Sequence, residues 1–283
     1  MSLSLRTVYF TLTGALGALA AWFVLDVLLQ IQIDNPYLDS ALNGALVGLA
    51  VGVAINGFAG LIEFKIRPVV RGIMIGLTAG LIGGALGLLL GELLYQQLGQ
   101  SDYLRILGWA IFGFFLGLAD GILARSPRRI LYAGLGGLLG GLLGGITSFL
   151  LWRFSDLPNT SRALGYTLLG ALVGLFIGLL PTVLRNAWLK VISSGRNEGK
   201  ERLIDKKRII IGSEARCDLP LYGDPGVDGQ HAVIEAQGGQ FVLRPLEDSI
   251  VVMNDHRITQ RVLQNEDQFQ VGDETLIFRK RSA

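Results

Sequence analysis

"GALVGLAVG" at residues 44–52 returns as "GFFLGLADG" at 113–121 and as "GALVGLFIG" at 170–178, each with glycine in its first, fifth and ninth places. Self-similarity at a fixed frame has to be read before any fold is assigned. Glycine every fourth residue in an apolar segment lets two helix backbones approach closely. Dispersion and weak Cα–H···O contacts then replace the hydrophobic drive that is missing in lipid. The three segments are therefore read as packing faces of membrane helices. The competing reading, glycine lining a narrow solute path, has less support because no polar residues accompany it at mid-depth.

Outward from these segments the chain shows six apolar runs, at about 7–30, 40–62, 71–96, 104–124, 130–152 and 163–184. Each reaches the roughly 20 residues that a helix needs to cross a bilayer. Such lengths with short linkers exclude a soluble helical bundle. The odd-numbered runs also carry small residues every fourth position, as in "GLIGGALGLLLGELL" and "GLGGLLGGLLGG". The unit is a two-helix hairpin present three times, and the copies are parallel repeats about an axis along the membrane normal. The fifth run has glycines at 136, 140 and 144 beside 137, 141 and 145, a face wide enough for two neighbours. Asp26 and Glu92, each followed by a similar pentapeptide, are expected at equivalent places in the first and third helices.

Charge sets the orientation. Arg6, Lys65, Arg67, Arg71, Arg125, Arg128, Arg129, Arg185 and Lys190 fall on one side if the helices alternate; only Arg105, Arg153 and Arg162 fall on the other. The second side also carries Asp34, Asp39, Asp102 and Asp156, with Tyr37, Tyr95, Tyr103, Trp109 and Trp152 near that interface. This predicts an integral inner-membrane protein with both termini cytoplasmic. "ALA" at 18–20 resembles a signal-peptide cleavage site, but the apolar stretch runs on through "AWFVLDVLL", which favours a retained first helix. Asp120, Asp26 and Glu92 are the ionisable residues inside the spans and hence candidates for function. All three lie toward helix ends, Asp120 close to Arg125, so paired or interfacial carboxylates are the expectation.

The last third has a different texture. The sixth helix is expected to continue through "PTVLRNAWLKVI" to residue 192, kinked at Pro181, with Trp188 at the interface and 193–202, "SSGRNEGKER", as a polar linker. "GRNEGK" lacks the length and the preceding strand of a phosphate-binding loop. From 203 to 283 short apolar runs alternate with turn residues, among them Gly238-Gly239 between "HAVIEA" and "QFVL", and they predict an all-β sandwich.

"RIIIGS" (208–213), "CDLPL" (217–221), "VDGQHAVI" (227–234), "MNDHRI" (253–258) and "LQNEDQFQVGDETLIF" (263–278) follow one another in an order and spacing that resembles the forkhead-associated (FHA) domain, over residues 207–281. The resemblance implies a phosphothreonine-reading rim, but its residues do not carry over. Ser213 stands where the family has its phosphate-binding arginine, Asp228 where it has a serine, Gly229 where it has a basic residue, and Ser249 at about its asparagine. Gly212 and His231 match, as scaffold, the glycine for backbone freedom; Asn254 falls at the second asparagine. Phosphothreonine carries nearly two negative charges and needs charge-assisted donors, whereas Asp228 repels it. Arg216, near in sequence but set between two strands, is not expected to compensate.

The single cysteine, Cys217, and the two histidines, His231 and His256, leave no disulfide framework and no plausible metal-ligand set. No nucleophile–base pair or cofactor motif is visible, neither half is basic enough to suggest nucleic acid, and an enzyme is not expected. Two readings follow: an anchored FHA-like adaptor that docks protein partners at the cytoplasmic face, alone or as a homo-oligomer, or a subunit of a transporter, channel or secretion-type membrane complex.

Overall fold

The computed structural model describes residues 3–30, 33–61, 66–124, 126–154 and 158–281. The chain divides into two compact units, residues 4–183 and 184–283.

The first unit consists of α1 (Leu3–Trp22), which continues as a π-helical segment (Phe23–Leu29), α2 (Pro36–Leu61), α3 (Ile66–Gln97), α4 (Asp102–Ala124), α5 (Pro127–Phe154) and α6 (Pro158–Val183). Among the described residues six helices are long and apolar enough to cross a membrane, in the places the hydropathy runs predict. Lys65, Arg125 and Asp156, used above for orientation, lie outside the described residues, as does the end of the second run at residue 62.

The repeating glycines are contact points between backbones. A Cβ on Gly48 of α2 would lie 2.0 Å from the carbonyl oxygen of Gly80 in α3. The register is antiparallel and recurs: Gly44 meets Gly84 and Gly52 meets Gly76, Gly113 and Gly117 of α4 meet Gly137 and Ala133 of α5, and Gly170 and Gly174 of α6 meet Gly14 and Phe10 of α1. One interface is thus used three times, by α2–α3, α4–α5 and α6–α1. A second kind joins the hairpins themselves. Gly17 packs on Ala50, Gly87 on Phe112, and Gly140 on Leu172 and Val173. Alternating the two interfaces closes six helices into a ring in which the last helix packs on the first. Helix α5 touches two neighbours through its two glycine rows, as its sequence predicts. The ring is filled by Val47, Val51 and Ile55 from α2, Phe112 and Leu116 from α4, and Leu169, Val173 and Ile177 from α6, all fully or nearly buried. Three-fold equivalents (Val47, Leu116 and Val173) share this core.

The packing register corrects one equivalence. Gly14 occupies in α1 the place of Gly84 in α3, so Trp22, and not Asp26, stands at the position of Glu92. Asp26 belongs to the π-helical segment, whose wider turns shift the phase of the residues that follow.

The second unit is a two-sheet sandwich. Its strands are β1 (Ala187–Val191), β2 (Glu201–Leu203), β3 (Arg208–Gly212), β4 (Leu219–Pro220), β5 (Ala232–Gln237), β6 (Gln240–Pro245), β7 (Val251–Met253), β8 (His256–Ile258), β9 (Arg261–Val262), β10 (Gln268–Val271) and β11 (Glu274–Lys280). One sheet runs β2-β1-β11-β10-β7-β8 and the other β4-β3-β5-β6-β9. Their inner faces meet through Leu189, Ile209, Ile211, Ile234, Leu243, Phe269, Leu276 and Phe278. Gly238 and Gly239, at φ 56° and 81°, make the predicted tight hairpin turn.

The structure overturns the expectation for residues 184–203. Helix α6 ends at Val183, two residues past Pro181, and "AWLKV" is a strand in the middle of a sheet, paired with β11 and β2. The reason is its period. Ala187, Leu189 and Val191 point into the core while Trp188 and Lys190 point out, an alternation of two that one helix face cannot present. Trp188 lies beneath Arg185, 3.7 Å away, on the outer face of that sheet. The supposed linker is the loop of a β1–β2 hairpin. It is held by Asn197, which is 1% exposed, donates to the Tyr222 carbonyl at 3.0 Å and accepts from the Tyr222 N–H at 3.1 Å. The sandwich starts near residue 184, not 203.

Two outcomes test these points. Gly48→Ala forces apart backbones that touch; it should destabilise the full chain in detergent by about 1–3 kcal/mol, while Leu135→Ala at the exposed ring surface should be near neutral. A fragment of residues 184–283 should unfold cooperatively by circular dichroism. A fragment starting at 203 should not, because it loses three buried apolar side chains worth together on the order of 5 kcal/mol.

Candidate functional site

Three loops converge at one end of the sandwich. After β3 the chain is pinned by Ser213 N–H donating to the Asp228 carbonyl at 2.9 Å and Glu214 N–H to the Gly229 carbonyl at 3.1 Å. Gly212 permits this approach, since a Cβ there would lie 2.3 Å from the Gly229 oxygen. Its φ is not in the left-handed region, so close contact, and not backbone freedom, is what requires glycine.

His231 is the post beneath the rim. It is 2% exposed; its Nδ1 accepts the Asp228 N–H at 3.1 Å and its Nε2 donates to the Ile250 carbonyl at 2.9 Å. An Nδ1 that accepts a backbone N–H places the hydrogen on Nε2, so the 3.4 Å approach of Nδ1 to the Asp228 carboxylate is not an ion pair. The third loop arrives through Ser249, whose hydroxyl donates to the Asp228 carboxylate at 2.6 Å. The Ser249 hydroxyl is therefore already committed to a carboxylate.

The structure thus brings together Ser213, Asp228 and Ser249, over Gly212 and His231. Arg216 is exposed and ion-paired with Glu214, two residues away. That partner is one the sequence reading missed, and no sequence signal pointed to it. Asn254 sits apart at the exposed tip of the β7–β8 hairpin at φ 50°, with its carbonyl near His256 Nδ1 at 2.7 Å. Arg216 offsets Glu214, and Asp228, Glu247 and Asp248 leave this end with a local acidic character. Two unit charges about 4 Å apart near a surface interact by up to about 4 kcal/mol, so a phosphodianion is disfavoured here. Cys217 lies below the rim; burial pushes its thiol up from the usual value, and its Sγ is 3.1 Å from the Gly229 carbonyl, a structural thiol and not a nucleophile.

The C-terminal unit is a two-sheet all-β sandwich. Residues 191–282 match the family model described as the inner membrane component of T3SS, cytoplasmic domain. Similar solved structures include the cytoplasmic domain of the T3SS sorting platform protein PscD from P. aeruginosa, at 22% identity, covering 35% of this chain and 82% of that one with a TM-score of 0.31. An FHA domain from Chlamydia trachomatis is 22% identical over 34% of this chain and 99% of its own, with a TM-score of 0.32. An FHA domain from work on phosphothreonine-dependent interactions is 21% identical over 35% of this chain and 99% of its own, also with a TM-score of 0.32. No curated protein sequence matches the chain.

In the helical unit all three candidate carboxylates have partners. Asp120, whose repeat equivalents are Val51 and Ile177, is 3% exposed at its side chain and is bridged by Arg129 at 2.8 Å and by Arg6. Arg125, its expected partner, lies outside the described residues. Arg6 on α1 and Arg129 on α5 thus both tie to α4. Asp26 pairs with Arg162 at 3.0 Å, and Glu92 accepts from Gln96 at 2.7 Å and Ser40 at 3.4 Å. Breaking a buried ion group from one side costs about 3–5 kcal/mol. Asp120→Ala should therefore lower the thermal midpoint of the full chain in detergent markedly, and Asp120→Asn, which keeps two acceptor or donor positions, should lower it less.

Proposed function

We propose that this chain is an inner-membrane scaffold whose FHA-type domain docks a protein partner without reading phosphate, as a component of a larger secretion-type membrane complex. The observation that carries the reading is the rim of the sandwich. The position of the family's hydroxyl donor holds Asp228, and that carboxylate already takes the Ser249 hydroxyl. With Glu214, Glu247 and Asp248 nearby, the rim favours a neutral or basic polypeptide. The match of residues 191–282 to a secretion-component family supports membership of a complex over solitary adaptor work.

The helical ring supports anchoring over conduction. Its centre is filled by Val47, Val51, Ile55, Phe112, Leu116, Leu169, Val173 and Ile177; a transport path places polar groups and broken helices at mid-depth. The nine-to-three asymmetry of basic residues supports a cytoplasmic position for both termini, on one and the same side of the ring. The bilayer and proteins are the partners of this reading; nucleic acid, cofactor and catalysis form no part of it.

The reading predicts that full-length protein captured from membranes retains the same partners before and after phosphatase treatment. It also predicts that the 184–283 domain binds a partner peptide equally in threonine and phosphothreonine forms by calorimetry. A phosphate-dependent gain of about tenfold or more, 1.4 kcal/mol, overturns it, and Asp228→Lys should weaken partner capture.

A further inference from the structure

The near three-fold symmetry of the ring breaks at Asp120 and also at the level of Glu92, where a cavity opens. At the level where α1 carries Trp22 and α3 carries Glu92, the packing register places Gly145 in α5. Glu92 reaches Ser40 of α2, its neighbour across the interface. Gly145 reaches nothing, and its neighbour on α4 is Trp109, whose Cβ would be 3.1 Å from a Cβ placed on the glycine. Between α4, α5 and α6 lies a cavity of about 180 Å³. It is larger than the roughly 150 Å³ engineered cavity that accepts benzene.

The lining is not that of an apolar packing defect. Arg105 and Arg162 occupy the same position in two repeats, each one turn before an aromatic residue, Trp109 and Tyr166, and all four line the cavity together with Ser148 and Trp152. The third repeat has Pro36 and Ser40 in those places. The described lining residues include two guanidiniums and no carboxylate. Trp109 and Tyr166 meet edge to face at 6.0 Å, and Arg105 lies over the Tyr95 ring at 4.1 Å, so the walls are fixed by aromatic contacts. Arg162 is held from outside the cavity by Asp26 of the π-helical segment, at 3.0 Å. The cavity lies where α4 and α6 begin and α5 ends, the end of the ring at which Tyr103, Trp109 and Trp152 predict the membrane interface.

We infer that this cavity binds the phosphate headgroup of one anionic phospholipid. Two guanidiniums present forked donors that match a phosphate oxyanion, and the aromatic and apolar walls accept the adjoining glycerol and acyl carbons. A free oxyanion satisfies the first feature but not the second, so a lipid is the occupant that uses the whole lining. Asp26 competes with the lipid phosphate for Arg162, and occupancy loosens that ion pair.

The test uses the full chain in neutral detergent, titrated separately with phosphatidylglycerol, phosphatidylcholine and inorganic phosphate, with retained ligand counted by native mass spectrometry. One phosphatidylglycerol should be retained in preference to phosphatidylcholine. Arg105→Gln should weaken retention about tenfold, the scale of one charge-assisted hydrogen bond. Arg105→Lys should weaken it less, and Asp26→Asn, which releases Arg162, should strengthen it. Equal retention of phosphatidylcholine overturns the assignment, as does retention unchanged by Arg105→Gln in a variant that keeps its thermal midpoint. Inorganic phosphate bound as tightly as the lipid overturns the choice of occupant. Because Asp26→Asn is read as a gain, a loss of folding in the arginine variants leaves the inference open to refutation.

Discussion

The helical half depends on one contact: a glycine α-carbon of one helix set against a backbone carbonyl of the next. Lipid supplies no hydrophobic drive between helices, so association rests on how closely backbones can come. With a Cβ at Gly48, Gly113 or Gly174 predicted 2.0–2.1 Å from a carbonyl oxygen, no other side chain fits without moving a whole helix. The same register then repeats along three interfaces, and the ring closes because the first and last helices use it too. Larger residues fill the centre, where Val47, Leu116 and Val173 supply one branched side chain from each even-numbered helix to a common layer.

Within that uniform frame the ionic groups mark departures from symmetry. Asp120 replaces an apolar core residue of the other two repeats and is held by Arg6 and Arg129 from two further helices. One carboxylate and two guanidiniums form a brace between α1, α4 and α5. A buried charge is tolerable only when paired and hydrogen-bonded, and the repeat architecture supplies arginines at helix ends within reach. At the opposite ends of the helices the symmetry breaks again: α5 has Gly145 at the place of Glu92, and Arg105 and Arg162 stand where the third repeat has Pro36, beside a cavity.

In the sandwich the scaffold and the electrostatics of the rim are set by different residues. His231 still ties two loops together through backbone groups, and Gly212 still lets the first loop approach the second. Such scaffold residues define the fold whatever the rim recognises. The rim itself turns acidic with the change of one serine position to Asp228, and Ser249 fixes that carboxylate in place. Fold and recognition are separable here because the first lives in backbone hydrogen bonds and the second in a few exposed side chains.

Six spans, the three-fold hairpin repeat, the two-sided glycine face of α5 and the order of the C-terminal strands were legible in the sequence, because each is a local periodicity. The "AWLKV" strand was not, since five residues after an apolar helix carry too little pattern to separate period two from period 3.6; only pairing with β11, 85 to 93 residues away, decides it. The Arg6 partner of Asp120 was hidden for the same reason, as it is 114 residues distant. Amino-acid order by itself determined which segments could cross a membrane, which backbones could touch and which charge stands at the sandwich rim. Ring closure, the Asp120 brace and the cavity beside Gly145 were decided only by tertiary structure, because each depends on residues that meet across separate helices.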